Sequence, residues 1–283
     1  MEYLPKIISS AQQSFSGKNP ILTVVYRIYG CIYHRHNNND LVLKYLRKCL
    51  DIQERTLPRE HFHLSLTYSL FGSVYLEQEN YTETYNSCQK ALENIDSSSN
   101  NPFLAEIMEI LGECHFKKNN YSDAMNCFKK ALDIGIKSKR NEQHFLIRIY
   151  RRLGFICSVE EGYANSLDYY KKAIPIAEEC NHPELFLLYN LSGLTYALMH
   201  DYEAAFQYLE KSLEITYKIL LPNVPYIQMV EEHKSMLFPL VIHLRKGVVD
   251  DSVDKEPLSK GAMWSDWASS VAVRRASKAH IQC

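Results

Sequence analysis

The chain has 283 residues, with 32 Lys and Arg against 33 Asp and Glu, for a net charge of −1. This balance provides no global basic field, which disfavours nucleic acid or an acidic membrane as the partner. No apolar run is long enough to span a bilayer, Met1 to Asn19 lacks a secretory-signal core, and the 8 cysteines form no C-x-x-C pair, so a reducing, cytoplasmic setting is expected.

At the start of the chain, Tyr3 to Ile8 reads as the second helix of a hairpin whose first helix is missing. Residues 1–19 are therefore expected to form a partial unit, and the chain to be a fragment or late-start copy of something longer. From residue 20 onward a register appears. Gly30, Gly72, Gly112, Gly154 and Gly193 are spaced 42, 40, 42 and 39 residues apart. Ten residues before them stand Pro20, Phe62, Pro102, His144 and Pro183, and Pro225 continues the series. Proline suits the first turn of a helix, so each first helix is expected to begin there. Nineteen residues after each glycine stand Cys49, Ala91, Ala131, Ala173 and Ser212, all small. Three marks in phase predict an internal repeat.

Ala105 to Leu132 shows the unit most clearly. It reads as two amphipathic helices joined by Lys118-Asn119-Asn120. Gly112 and Ala124 allow close backbone approach, while Met108, Leu111 and Phe128 fill the surrounding space. Pro175, inside the second helix of repeat four, is expected to kink or end it. Pro225 to Leu244 reads as one more first helix, acting as a cap. Residues 247–283 are expected to be mostly disordered, with a helical stripe only over Trp264 to Ala276.

These marks carry a family resemblance. Tyr26, Tyr29, Gly30 and Tyr33 open the pattern. Tyr68, Phe71, Gly72, Tyr75 and Tyr81 continue it, then Met108, Leu111, Gly112, Tyr121, Ala124 and Phe128. Tyr150, Leu153, Gly154, Tyr163 and Tyr170 follow, then Tyr189, Gly193, Tyr196, Tyr202 and Ala205. The pattern resembles tetratricopeptide repeats, and the period near forty is similar to the kinesin-light-chain type. Repeat one departs most, with Val42 and Leu46 where Ala and an aromatic are usual. The resemblance implies an all-α, right-handed α-α superhelix of about five repeats over residues 20–246.

The resemblance also implies where binding would occur, because first helices line a concave groove. The implied groove residues are Arg27 in repeat one and Ser69 and Leu76 in repeat two. Glu109 and Glu113 stand in repeat three, Arg148, Arg151 and Phe155 in repeat four, and Asn190 and Leu194 in repeat five. By resemblance, Asn190 bonds a ligand backbone. Arg148 and Arg151 either hold a ligand carboxylate or pair with Glu106 and Glu109 of the neighbouring helix; both outcomes stand open. The expected function is a non-enzymatic scaffold or adaptor for a protein or peptide segment. The alternative is the regulatory or targeting part of a larger enzyme, for example an ADP-ribosyltransferase fused to repeats.

Other motifs carry less. His34-x-His36 near Asp40 reads as a solvated loop end, since residues two apart on a helix face different ways. His61-x-His63 reads as a helix start and Glu160-Glu161 as a solvated link. Arg274-Arg275-Ala276-Ser277 resembles a basic-directed kinase site, which makes Ser277 a candidate phosphosite. No phosphate loop, nucleophile elbow or metal-ligand spacing is found, so no cofactor, metal or catalytic residue is expected.

Overall fold

The computed structural model describes residues 21–35, 38–58, 61–95, 101–138, 142–219, 227–228, 230–235, 238 and 241. The expectations for residues 1–19, for the tail and for Ser277 lie outside the described residues. Among the described residues every regular element is a helix. These are α1 (Ile21–Arg35), α2 (Asn39–Thr56), α3 (Phe62–Glu77), α4 (Tyr81–Glu93), α5 (Pro102–Lys117), α6 (Tyr121–Lys137), α7 (Gln143–Val159), α8 (Tyr163–Glu179), α9 (Leu185–Leu198) and α10 (Tyr202–Ile219). The described residues from 227 to 241 are helical as well. The expected all-α repeat class is borne out. Each odd-numbered helix packs most extensively on the even-numbered helix that follows it. The chain divides after Asn141 into two compact units.

The hairpins close in one way. Glu79, Asn119, Glu161 and His200 each adopt a positive φ of 60 to 64°. The next residue's N–H then reaches back five positions: Asn80 to Tyr75 O, Asn120 to His115 O, Gly162 to Cys157 O and Asp201 to Tyr196 O, at 2.8–3.0 Å. This is a left-handed helix stop, which satisfies carbonyls that would otherwise lack partners. Asn181, between α8 and α9, makes the same stop, with His182 N reaching Ala177 O at 2.8 Å, so the described residues make it five times without glycine, at about 1–2 kcal/mol each. At two of the four turns within hairpins the next helix starts on a side-chain cap: Asn80 Oδ1 accepts from Glu83 N at 3.2 Å, and Asp201 Oδ1 from Ala204 N at 3.1 Å.

Within each hairpin the register glycine faces the residue sixteen positions on. Leu46, Cys88, Phe128, Tyr170 and Leu209 hold that place, and all are 0% exposed. A Cβ on Gly112 would stand 2.8 Å from the Phe128 ring, and one on Gly154 would stand 2.5 Å from the Tyr170 ring. The two backbones approach closely because no side chain separates them, and the partner side chain fills the space instead. The small residues nineteen positions on, Cys49, Ala91, Ala131, Ala173 and Ser212, are also fully buried.

Two expectations need correction. Helix α9 begins at Leu185, not at Pro183. His182 forms a turn ahead of it, with Leu185 N donating to His182 O at 3.0 Å, so Pro183 lies in that turn. Of the kink or end expected at Pro175, the end is overturned, since α8 runs on to Glu179. Pro175 is exposed, so the carbonyl it leaves without a donor can be hydrated.

Candidate functional site

In the unit before Glu142, Arg27, Leu76, Glu109 and Glu113 are half-buried. Ser69 is buried, and its hydroxyl donates to Leu66 O at 2.9 Å, turned back onto its own helix. The side chain of His34 lies outside the described residues. Among the described residues no three His, Cys, Asp or Glu side chains are placed to hold a metal.

The other unit gathers more chemistry. Helix α7 carries Arg148, Arg151 and Phe155, and α9 carries Asn190 and Leu194. Arg148 is exposed, whereas Arg151, Phe155, Asn190 and Leu194 are 4%, 3%, 1% and 2% exposed. The resemblance implies an open groove; of these five side chains four are nearly covered, and Arg148 is exposed.

Arg151 has an acidic partner within its own unit. Its Nε lies 3.1 Å from Glu184 Oε2, with the two side chains 5% and 27% exposed. Glu184 is the N-cap residue of α9, where a negative charge also favours the helix dipole. His182 completes the corner. Its Nδ1 accepts from Glu184 N at 3.1 Å, and its ring lies 4.8 Å from that of His144. Burial pulls the His182 pKa below its usual value; His144, Arg148 and Arg151 push the same way, and Glu184 opposes them. The ring is therefore neutral at pH 7. Glu184 and His182 were missed at the sequence level, although an acid just ahead of a helix was the available signal.

Two interactions fix how α9 presents Asn190. Tyr189 OH donates to Glu178 Oε1 at 2.6 Å, and Lys211 Nζ lies 5.5 Å from the centre of the Tyr189 ring. Burial, then the bond to Glu178, raises the Tyr189 pKa. Beneath, the Ser158 hydroxyl lies 2.9 Å from both Ser166 and Thr195, linking α7, α8 and α9. So positioned, the Asn190 Nδ2 is buried and has no hydrogen-bond partner among the described residues. Two N–H groups in that setting call for a carbonyl or carboxylate oxygen.

Comparisons place the fold. The tetratricopeptide repeat family model matches residues 63–137 and 145–218, more than half of the chain. The uncharacterized protein ycf37 of Cyanophora paradoxa is 38% identical over 86 residues, 29% of this chain. That match takes in 48% of ycf37, so the chain spans about half the length of this curated relative. The apo form of RapI superposes with a TM-score of 0.63 at 17% identity, covering 92% of this chain and 91% of RapI. Putative kinesin light chain repeats of Podosopora anserina give 0.59 at 14% identity, covering 70% and 96%. At such identities the likeness is one of fold. Among the described residues no helix is long and apolar enough to cross a membrane. Repeats of this kind support a protein–protein interaction scaffold. With the glycine register, the left-handed helix stops and the matched segments in agreement, the chain belongs to the tetratricopeptide repeat family.

Proposed function

We propose that the scaffold works by taking an extended or short helical peptide segment on the inner face of α7 and α9. Asn190 donates to a backbone carbonyl of the ligand. An acidic ligand side chain is met by Arg148 at the rim. Phe155 and Leu194 form the apolar floor. In the unit before Glu142 the corresponding positions offer Arg27, Ser69, Leu76, Glu109 and Glu113. The buried cysteines pack as small apolar side chains, a use that fits a reducing, cytoplasmic setting.

The observation that carries this reading is the Asn190 Nδ2. A buried donor with no partner costs about 1–3 kcal/mol, and a ligand carbonyl would remove that penalty. Replacing Asn190 by Leu takes away the donor without breaking a bond seen in the free protein. The Asn190→Leu melting temperature is expected to stay the same or rise. Peptides selected from a displayed library on the full chain are expected to bind the variant about tenfold or more weakly, at least about 1.4 kcal/mol. Equal binding, or a fall in melting temperature, contradicts the assignment.

A further inference from the structure

The repeat register changes character after the fifth register glycine. Ser235 stands 42 residues after Gly193, in the register of the small residues that admit a second helix. Sixteen residues further on is Asp251, an acid, where every earlier repeat has a fully buried apolar side chain. Beside Ser235, between α10 and the helical residues of 227–241, runs a groove of about 760 Å³. Its apolar lining is mostly aromatic, with Leu213 beside the rings. The Phe206 and Phe238 rings lie 6.0 Å apart, and Tyr217 and Phe238 are 50% and 52% exposed. Exposed aromatics in a groove of this size mark a binding surface more than a solvated face.

Its lining carries Glu210, Glu214 and Glu231; Lys234 pairs with Glu210 and Lys218 with Glu214, so the groove stays acidic by one charge. Lys234 Nζ is held by Glu210 Oε1 at 2.8 Å and lies 4.7 Å from the centre of the Phe206 ring, while Tyr217 OH donates to Glu231. The chain itself carries a complementary segment. Trp264 and Trp267 are its only tryptophans, and with Val271 they form an i, i+3, i+7 stripe. Arg274, Arg275 and Lys278 follow, against the single acid Asp266.

We propose that the segment from Trp264 to Lys278 seats its tryptophans in this groove beside Ser235. Aromatic stacking on Phe206 and Phe238 and charge pairing with the glutamates select it. Trp264 is 23 residues beyond Val241. A chain of that length reaches up to about 75 Å when extended, so the groove is within range. Tethering at such a length gives an effective concentration on the order of millimolar, so modest contacts suffice.

The two tryptophans are the probe. In the full chain, acrylamide quenching of their fluorescence is expected to be several-fold weaker than in a synthetic peptide of residues 258–283, with emission shifted to the blue. Phe238→Glu is expected to restore peptide-like quenching. So is Arg274→Glu combined with Arg275→Glu, which leaves the groove itself intact, and helicity is monitored by circular dichroism in each case. Tryptophans quenched as freely in the full chain as in the peptide overturn the proposal. Protection that neither variant relieves puts the segment elsewhere, and protection lost on dilution assigns the groove to a second copy; either result also overturns it.

Discussion

Phe128→Ala is expected to destabilise the protein by about 3–5 kcal/mol, the range for deleting a fully buried aromatic ring. Phe128 is 0% exposed and lies against Gly112, whose missing side chain makes room for the ring. The α5 and α6 backbones already approach closely at Gly112, so little further approach is left to fill the cavity. In a repeat protein each unit contacts only its neighbours, so the loss is felt first by α5, α6 and the adjoining repeat. Against a total stability of about 5–15 kcal/mol, it removes a large share. Urea denaturation followed by circular dichroism should show a transition moved to markedly lower urea. A change below about 1 kcal/mol, typical of a surface substitution, would count against Phe128 as the filler of this hairpin.

Arg151→Ala is expected to be nearly as damaging, about 3 kcal/mol, at the lower end of the range for breaking a buried ion pair. The partner Glu184 is 27% exposed, so water compensates part of its lost pairing. Arg151→Met should cost less, since it keeps the packing volume. Combining Arg151→Met with Glu184→Gln should recover part of the remainder, because no charge is then left without its partner. Thermal melting of the three variants checks the order. Equal loss for Ala and Met would show that the packing volume contributes little, and a double variant no more stable than Arg151→Met would show that the charge pair contributes little.

The glycine register was legible because close helix approach requires the absence of a side chain at a fixed interval. Gly112 and Gly154 met that requirement, and so did the buried small residues from Cys49 to Ser212. Periodicity reports which face of a helix turns inward but not how deeply it is covered. That is why Arg151, Phe155 and Asn190 were assigned to the correct helices yet expected in a more open groove. The Arg151–Glu184 pair joins residues 33 apart, a separation that no local pattern encodes. The left-handed stops were equally hidden. Glu79, Glu161 and His200 occupy a conformation that favours glycine, so composition gave no signal there. Pro175 does not stop α8, because an exposed proline is tolerated where a buried one would break the helix.

The pairing of each register glycine with the side chain sixteen residues on is tested most directly at Gly154 and Tyr170, by a double-mutant cycle in urea. Gly154→Ala alone should cost about 1–3 kcal/mol, since its Cβ meets a fully buried ring that has nowhere to move. Combined with Tyr170→Leu, the loss should be smaller than the sum of the single effects by about 0.5–3 kcal/mol. Single losses that add to within about 0.3–0.5 kcal/mol would mean the two positions do not meet, and the repeat register would not be what holds the hairpins together.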